Sequence, residues 1–336
     1  MSPSTSPRVT IAVPVYNSAS TLERALRSAL RQTLSDIEIL VLDDGSTDDG
    51  AAIVERLAAE DSRIRLIRAA ANAGKPAAMN RMVDEARGEW FAVLDADDAY
   101  ADDRLDSLLQ AATRHGAEIA ADNITYVDGG ADAVVGTAFP LGQADRVVGI
   151  DDFWAHSDPH AEFDFGILKP VIRRDFLRRH GLRYFDTALS EDFYYLMKAF
   201  QAGGKAVLTG RATYFWTMPF GPLSRAWTGT GNGAWRYDYR QALQANRHFL
   251  AEAKAGGDDR TAAMLTIREH QYHVMKHYLD AQRAAAEGRW ARSLSTIVAH
   301  PSTYGLLLKR VTGRLRRVVS PPPPPPPAAA HPRLRA

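Results

Sequence analysis

Three closely spaced carboxylates follow an apolar segment in the first third of the chain. Residues 90–94, Trp-Phe-Ala-Val-Leu, have the length and the aromatic and branched content of a buried strand, and Asp95, Asp97 and Asp98 come after them. In extended geometry Asp95 and Asp97 would share a face, and crowded carboxylates repel one another unless a cation lies between them. Mg²⁺ and Mn²⁺ prefer such oxygen ligands, and water and substrate phosphates fill the remaining positions of their coordination shells. The cluster therefore predicts a metal–diphosphate site, although acidic residues capping a helix that begins near Ala101 would give the same pattern.

Three further loops carry polar or aromatic residues where a predicted strand ends. These residues are Tyr16 and Asn17, Asp43 and Asp44, and Asn72 and Lys75. An aromatic ring can stack on a base, an aspartate can accept a hydrogen bond from a base or ribose, and a lysine can contact a phosphate. The sequence contains no Walker A loop and no glycine-rich dinucleotide fingerprint after the first strand. The loops therefore predict a nucleotide-diphosphate site in which a metal and scattered basic groups balance the phosphate charge.

The elements that must position these residues alternate between strands and helices. Apolar runs at 9–15, 37–42, 64–68 and 90–94 predict four strands, and helical periodicity between them predicts three helices. This order, with short loops, is typical of an α/β fold with a doubly wound, mostly parallel sheet. Because the carboxyl ends of parallel strands converge on one crevice, we expect the four loops to meet there.

Four short motifs occur in order along the first hundred residues. They are Pro14-Val15-Tyr16-Asn17, Asp43-Asp44-Gly45-Ser46-Thr47-Asp48, Asn72-Ala73-Gly74 with Asn80, and Leu94-Asp95-Ala96-Asp97-Asp98. Together they resemble the motifs of family 2 glycosyltransferases. The resemblance implies the GT-A fold, an inverting reaction and a nucleotide-sugar donor. It also implies that Asp44 contacts the base and that Asp97 or Asp98 ligates a divalent metal.

An acidic pair, Glu191 and Asp192, opens a predicted helix that runs to Phe200. By itself the pair could cap the helix and complement its dipole. The resemblance implies instead that Asp192 is the general base, which suits an inverting reaction because a carboxylate must deprotonate the attacking hydroxyl. Glu191 would then orient the acceptor or cap the helix. Ser190 departs from the family pattern, since many relatives have glycine there.

The segment from Gly166 to Arg225 resembles the bacterial exopolysaccharide branch of the family, which includes succinoglycan-type glucosyltransferases. The resemblance implies that Arg225, which follows a Gly/Pro loop, closes over the diphosphate. Without the resemblance, a surface charge at the end of a loop explains Arg225 equally well. Residues 156–164 mix histidine, aspartate and aromatic residues and are a candidate loop on the acceptor side.

Composition and charge exclude several kinds of site. The chain has 336 residues and no cysteine, which excludes disulfides, thiolate metal sites and cysteine nucleophiles and favours a reducing cytosol. We expect neither a signal peptide nor a membrane span. Nine Lys or Arg residues and no Asp or Glu follow Glu287, and subtracting these nine charges from the net charge of +1 leaves −8 on the preceding residues. This distribution argues against nucleic-acid binding and favours an anionic membrane as the partner of the basic C-terminal segment.

The chain divides into five predicted parts. They are a disordered N-terminus (1–7), a GT-A catalytic domain (8–225), a helical C-terminal region (226–301), a basic amphipathic helix (302–319) and a disordered proline-rich tail (320–336). The apolar and basic stripes of residues 302–319 suit a helix that lies in an anionic membrane surface. The alternative is a helix that packs on the catalytic domain and leaves its arginines in solvent.

The sequence as a whole predicts an inverting, metal-dependent hexosyltransferase. We expect a UDP-hexose donor, Mg²⁺ or Mn²⁺, and a saccharide or lipid-linked saccharide acceptor in exopolysaccharide or other cell-surface polysaccharide biosynthesis. The expected location is the cytoplasm, with peripheral contact at the inner face of the plasma membrane. Two alternatives stay open. A metal-dependent nucleotidyltransferase would need a basic loop after the first strand, which the sequence lacks, and a nucleotide-sugar-binding scaffold would bind without turnover.

Overall fold

The computed structural model of the chain describes residues 6–130, 133–139, 144–157, 165–187, 189–218 and 239–308. Its main sheet has eight strands, and the first four along the chain lie side by side in the order β3-β2-β1-β4. These strands are β1 (Val9–Val15), β2 (Ile37–Asp43), β3 (Ile64–Arg68) and β4 (Trp90–Val93). All three pairings among them are parallel, so their carboxyl ends lie at one edge of the sheet.

Three helices connect these strands: α1 (Ala19–Leu30), α2 (Gly50–Glu60) and α3 (Lys75–Glu85). The burial of Leu22, Ala25, Leu26 and Ala29 follows the helical spacing and seats α1 in the core. In the sheet Val15 is paired with Asp43, so the loops after β1 and β2 begin at the same level. The four predicted strands are confirmed to within one residue.

The second half of the main sheet consists of strands of only three residues each. They are β6 (Ile119–Ala121), β9 (Arg146–Val148), β10 (Val171–Arg173) and β11 (Ala206–Leu208), in the order β10-β6-β11-β9 after β4. Strand β10 runs antiparallel to β4, with Val171 paired to Ala92. This direction places the residues before β10 beside the carboxyl end of β4, where the aspartate cluster begins.

A second sheet of four strands adjoins the first, in the order β5-β12-β7-β8. Its strands are β5 (Ala99–Tyr100), β7 (Ile124–Asp128), β8 (Ala133–Thr137) and β12 (Tyr214–Met218). Strands β7 and β8 are consecutive along the chain and pair in antiparallel orientation, so they form a hairpin. The helix expected near Ala101 instead begins later, as α4 (Arg104–His115), because the extended residues of β5 pair with β12.

The remaining helices are α5 (Ile150–Ala155), α6 (Arg174–Arg179), α7 (Glu191–Gln201), α8 (Tyr239–Ala255), α9 (Asp259–Ala286) and α10 (Trp290–Ala299). Helices α8 and α9 join the main core, since Phe249 and Leu265 belong to the same buried cluster as Phe193 of α7. The α/β class with a mostly parallel sheet and a helical C-terminal region is confirmed.

Only part of the predicted C-terminal amphipathic helix falls within the described residues. Pro301–Thr303 form a 3₁₀ helix and residues 304–308 are helical, whereas residues 309–319 and the proline-rich tail lie outside the description. Among the described helices, none has both the length and the apolar character needed to cross a bilayer.

One buried ion pair joins the two sheets. The guanidinium of Arg104 contacts the carboxylate of Asp122 at 2.7 Å, and both side chains are almost completely buried. The rings of Tyr100 and Tyr214 flank the guanidinium, with centroids 4.4 and 5.2 Å from its central carbon. Arg104 also donates a hydrogen bond to the carbonyl oxygen of Lys169. The pair therefore fixes the backbone immediately before β10.

Asp122→Ala is expected to lower the free energy of unfolding by about 3–5 kcal/mol, because it leaves the Arg104 charge buried without a counterion. Urea denaturation at neutral pH measures this change. The matched control is Asp103→Ala, which removes an exposed pair with Arg211 and should cost less than about 1 kcal/mol. Equal losses in the two variants would contradict the role given to the buried pair.

Candidate active site

The loops after β1 and β2 are tied together by side-chain hydrogen bonds. The Asn17 Oδ1 atom accepts a hydrogen bond from the backbone N–H of Thr47 at 2.8 Å, and the Asn17 N–H donates to Ser46 Oγ at 3.0 Å. Asn17 adopts a φ of 49°, a left-handed conformation that asparagine tolerates well. Tyr16 keeps 49% of its surface exposed beside this junction, so its ring is accessible to a planar ligand.

The loop after β3 is held by Asp44, which is itself buried. Its Oδ1 and Oδ2 atoms accept hydrogen bonds from the backbone N–H groups of Ala73 at 3.0 Å and Gly74 at 2.8 Å. Gly45 has a φ of 75°, and a Cβ atom there would lie 2.8 Å from the Asn72 nitrogen. Only glycine permits this close approach of the two loops. The contact of Asp44 with a base stays a prediction, whereas its two hydrogen bonds to the loop after β3 are observed.

Two other residues predicted to contact the nucleotide have structural partners. Asp43 is buried at the end of β2, and its Oδ1 accepts a hydrogen bond from the Ser46 N–H at 3.0 Å. Pro14 lies within β1, paired in register with Leu42. Arg225, which was expected to cover the diphosphate, lies outside the described residues, as do residues 158–164 of the predicted acceptor-side loop.

Five charged side chains form a continuous ionic network at the sheet edge. Lys75 Nζ lies 3.0 Å from Asp95 Oδ1 and 3.3 Å from Glu191 Oε1. Lys169 Nζ lies 2.9 Å from Asp95 Oδ2 and 2.5 Å from Asp192 Oδ2. Asp95 is thus bridged on both oxygens, and the predicted base Asp192 stands at one end of the network with Glu191 at the other. Carboxylates from β4 and α7 are brought together by lysines from α3 and the segment before β10.

The network controls the ionisation of its members. Burial opposes the charge of Asp95, but the Lys169 and Lys75 ammonium groups outweigh it and hold the pKa of Asp95 well below its usual range. Burial likewise opposes the charge of Lys75, yet the nearby carboxylates, Asp95 foremost, raise its pKa well above the usual value. At Glu191, burial and the charge of Asp192 raise the pKa. The lysines and Asp95 are therefore held in their charged forms.

Lys169 received no role in the sequence analysis. Residues 166–170 belong to the longer segment that resembles the exopolysaccharide branch, and this resemblance predicts no role for Lys169. A lysine before a proline and a short strand carries no local sign of function, and its partners Asp95 and Asp192 are remote in sequence. The antiparallel placement of β10 beside β4 brings them together.

The three aspartates after β4 do not converge as expected. The expectation of extended geometry is wrong, because residues 96–97 form a turn and the Asp98 N–H donates to the Asp95 carbonyl at 3.0 Å. The buried Asp98 carboxylate accepts hydrogen bonds from the Tyr214 hydroxyl at 2.7 Å and the Thr217 N–H at 2.9 Å. Among the described residues, no group of three or more Asp, Glu, His or Cys side chains is arranged to hold a metal ion.

Of the predicted metal ligands, Asp97 alone is left facing solvent. Asp95 is engaged by two lysines, and Asp98 is turned toward β12. Although Asp97 as a residue is exposed, partial burial of its carboxyl group and, after that, the negative charge of Asp95 raise the pKa of Asp97. A bound cation would offset both effects, so the donor chemistry fits one carboxylate ligand. Arg24 of α1 fixes the turn by donating to the Asp97 carbonyl.

Ser190 begins α7 with a φ of 67°, a conformation that favours glycine. The serine side chain compensates through a 2.9 Å hydrogen bond between its hydroxyl and that of Tyr272 in α9. The serine that replaces the glycine of many relatives is therefore held by a residue of the C-terminal helices. It connects the position of Glu191 and Asp192 to the packing of α9.

A cavity of about 660 Å³ opens beside the ionic network. Lys75 and Glu191 line it on one side and Gln244 and His248 of α8 on the other, with Phe185 between them. The Phe185 ring stacks on His248, with centroids 4.8 Å apart.

The wall of this cavity at Phe185 is set by Asn80. The Asn80 Nδ2 atom donates to the Tyr184 carbonyl at 2.9 Å, and its Oδ1 accepts from the Tyr184 N–H at 2.8 Å. This residue of the third motif thus acts on the backbone that carries Phe185. The cavity combines an aromatic ring, amide side chains and charged groups, the combination that recognises polar ligands with apolar faces.

Comparison with known proteins identifies the family. The profile described as Glycosyl transferase family 2 matches residues 10–146. Succinoglycan biosynthesis protein ExoO of Rhizobium meliloti (strain 1021) is 32% identical over 319 residues, which cover 94% of this chain and 88% of ExoO. The chain belongs to glycosyl transferase family 2. The predicted resemblance to this family and to its succinoglycan branch is confirmed.

Solved glycosyltransferase structures share the fold of this family 2 member. The crystal structure of S. aureus TarS 1-349 in complex with UDP-GlcNAc matches with a TM-score of 0.64 and 18% identity, over 86% of this chain and 80% of that one. The mannosyltransferase PcManGT from Pyrobaculum calidifontis, in complex with GDP-Man and Mn²⁺, matches with a TM-score of 0.52 and 19% identity, over 95% and 83%. At these identities the likeness shows the fold, and the predicted GT-A architecture is confirmed.

Lys169→Met is expected to flatten the acid dependence of stability. The lowered pKa of Asp95 contributes stability that is fully present above its unfolded value of about 3.9 and is lost as pH falls through the folded value. Without Lys169 this pKa moves back toward normal, so the variant should be less stable near pH 7 and should lose less on acidification. Chemical denaturation over a series of acidic to neutral pH values measures this slope.

The matched control for this experiment is Lys198→Met, which removes an ammonium paired with Glu252 at the surface. It should keep the wild-type acid dependence, because exposed pairs contribute little. If the stability of Lys169→Met falls at low pH as steeply as that of the wild type, Lys169 does not govern the ionisation of Asp95.

Proposed function

We propose that this glycosyltransferase is an inverting, metal-dependent hexosyltransferase with a nucleoside diphosphate sugar donor, a UDP-hexose by preference. Its acceptor is a saccharide or lipid-linked saccharide, and its role is in exopolysaccharide or other cell-surface polysaccharide assembly at the cytoplasmic face of a membrane. The observation that carries this proposal is the ionic network, which joins Asp192 at the strand ends to Lys75 and Glu191, two residues that line the large cavity. Family membership and the name of ExoO support the pathway assignment.

Asp192 is the proposed general base. Its Oδ2 atom contacts Lys169, and Oδ1 has no hydrogen-bond partner among the described residues. The acceptor hydroxyl loses its proton to Oδ1 while its oxygen forms a bond to the anomeric carbon of the donor. The bond from that carbon to the diphosphate breaks, and the diphosphate leaves with the electron pair. A single displacement of this kind inverts the anomeric configuration.

The donor site is proposed at the junction of the first three loops. Tyr16 offers an exposed ring for stacking on the base, and Asp44 and Asn72 keep the third loop beside it. Lys75, the member of the network that directly follows the third loop, offers an ammonium group that can attract the diphosphate. The crystal structure of TarS with UDP-GlcNAc supports a UDP-sugar as donor.

Asp97 is the residue proposed to hold a divalent cation, Mg²⁺ or Mn²⁺. When bound, the cation would neutralise the charge that develops on the departing diphosphate. Asp97 contributes one carboxylate, and its turn is held by Arg24 and by the Asp98 contacts to β12. Asp98 and Asp95 support this position rather than face the cation directly. The Mn²⁺ in the structure of PcManGT supports metal use.

The cavity between Glu191 and α8 is the proposed acceptor site. Its lining includes Glu191, the chain neighbour of Asp192 in the first turn of α7, and the proposal is that an acceptor bound there presents a hydroxyl to the base. Sugars bind well where an aromatic face lies beside amide and imidazole groups, as Phe185 does beside Gln244 and His248.

Donor turnover tests the reaction class. With a panel of UDP-, GDP- and dTDP-sugars we expect metal-dependent release of nucleoside diphosphate from one donor, abolished by EDTA and by Asp97→Ala. Asp192→Asn should lower kcat for transfer by about 10²–10⁴-fold while nucleotide binding persists, because the amide cannot accept the proton. Enzyme-coupled detection of released nucleotide and isothermal titration calorimetry give the two readouts.

The control for both variants is Asp103→Asn, a surface aspartate paired with Arg211, which should retain wild-type turnover. Release of pyrophosphate instead of nucleoside diphosphate would favour a nucleotidyltransferase. Nucleotide binding without turnover, unchanged in Asp192→Asn, would favour a binding scaffold.

The acceptor site has a separate test. Gln244→Ala and His248→Ala are expected to reduce transfer to a panel of short oligosaccharides, because each removes a polar group from the cavity wall. Donor hydrolysis by water should persist, since the donor loops are untouched. The comparison variant is Lys254→Ala, an exposed residue elsewhere on α8. Parallel losses of hydrolysis and transfer would instead place these residues on the donor side.

A further inference from the structure

Helix α10 leaves a row of large apolar side chains exposed, while its inward side carries the buried Ser293 and the half-buried Thr296 and Ile297. Ser293 is its one buried residue, whereas Trp290, Leu294 and Val298 are 65%, 62% and 68% exposed. These three residues follow one another at intervals of four, so they form a single row along the helix. A helix on a water-soluble surface normally shows the reverse arrangement.

The exposed row is part of a larger concentration of apolar surface. Among the described residues, nine large apolar side chains are exposed, and five of them lie between positions 290 and 308. Tyr304, which follows the short 3₁₀ helix after α10, is 47% exposed and extends the patch. The buried Thr303 between them again shows a polar residue facing the protein. Contiguous apolar patches of this kind mark interaction surfaces.

Two basic side chains border this patch. Arg289 and Arg292 are exposed at the first turn of α10. Arg289 contacts Glu287, the last acidic residue of the chain, and every charged side chain after that position is Lys or Arg. The patch therefore combines exposed aromatic and aliphatic side chains with bordering arginines, a combination that complements a negatively charged surface.

We propose that α10 and Tyr304 form a docking surface for an anionic lipid membrane. The helix has ten residues and is about 15 Å long, too short to cross a bilayer core of about 30 Å, so it would lie in the membrane plane. Trp290, Leu294 and Val298 enter the boundary between headgroups and acyl chains, and the arginines reach the phosphates. Tryptophan and tyrosine favour this interfacial depth.

A lipid surface suits the patch better than a second copy of the chain. A symmetric dimer through α10 would bring the exposed Arg292 side chains of two copies toward each other, whereas anionic lipids would neutralise them. The surface shares Tyr304 with the amphipathic segment 302–319 predicted from the sequence, but its apolar row belongs to a different helix, α10, which packs on α9. It does not depend on the proposed reaction, since none of its residues lies in the active site.

Flotation of the full-length protein with lipid vesicles tests this surface. Wild type should bind vesicles of phosphatidylcholine with roughly a third phosphatidylglycerol, bind pure phosphatidylcholine poorly, and release with added salt. Leu294→Glu and Val298→Glu should each reduce the partition coefficient by about tenfold or more, because each replaces a membrane-buried aliphatic side chain with a charge. Tryptophan emission from Trp290 should shift to shorter wavelength on binding in the wild type.

The matched control is Ile267→Glu on α9, where the isoleucine is 52% exposed; this variant should bind vesicles as the wild type does. Circular dichroism and nucleotide release verify that the variants stay folded. Wild-type binding by Leu294→Glu would overturn the proposal and assign any binding to the basic tail. Two results for the wild type would also overturn the proposal. One is a failure to bind anionic vesicles, and the other is dimerisation through this face without lipid in sedimentation experiments.

Discussion

The alternation of charge along Glu191, Lys75, Asp95, Lys169 and Asp192 is the interaction on which the rest of the site depends. Three carboxylates from two distant parts of the chain could not approach this closely without cations between them. The lysines satisfy this requirement within the protein itself. Their contacts hold α7 against the end of β4 and place a carboxylate at the mouth of a cavity.

The loops around this network are held by side chains that bond to backbone rather than to one another. Asp44 holds the third loop, Asn17 ties the first loop to the second, and Asn80 holds the backbone at Tyr184. Each uses a short polar side chain with little rotamer freedom, which costs little entropy to fix. Several motif residues therefore shape the site as well as offering groups to a ligand.

The C-terminal helices connect the active site to the proposed membrane surface. Helix α9 carries Tyr272, which bonds the strained Ser190 at the start of α7, and α10 packs along the same helix. Helix α8 supplies one wall of the cavity. A membrane contact through α10 would therefore be only a few packed elements from the cavity proposed to bind the acceptor, an arrangement suited to the proposed lipid-linked acceptor.

The sequence by itself determined the α/β class, the four parallel strands and the family. Apolar periodicity and motifs such as Asp43-Asp44-Gly45 are local patterns, formed by residues close together in the chain. The sequence also located Asp192 at the start of a helix. Only the tertiary structure decided that Lys169 joins the network, that Asp98 turns to Tyr214 instead of toward Asp97, and that α10 exposes its apolar row. The physical reason is that these outcomes depend on strand order and helix packing. Both bring together residues far apart in the chain, and no local pattern records which partner each side chain will meet.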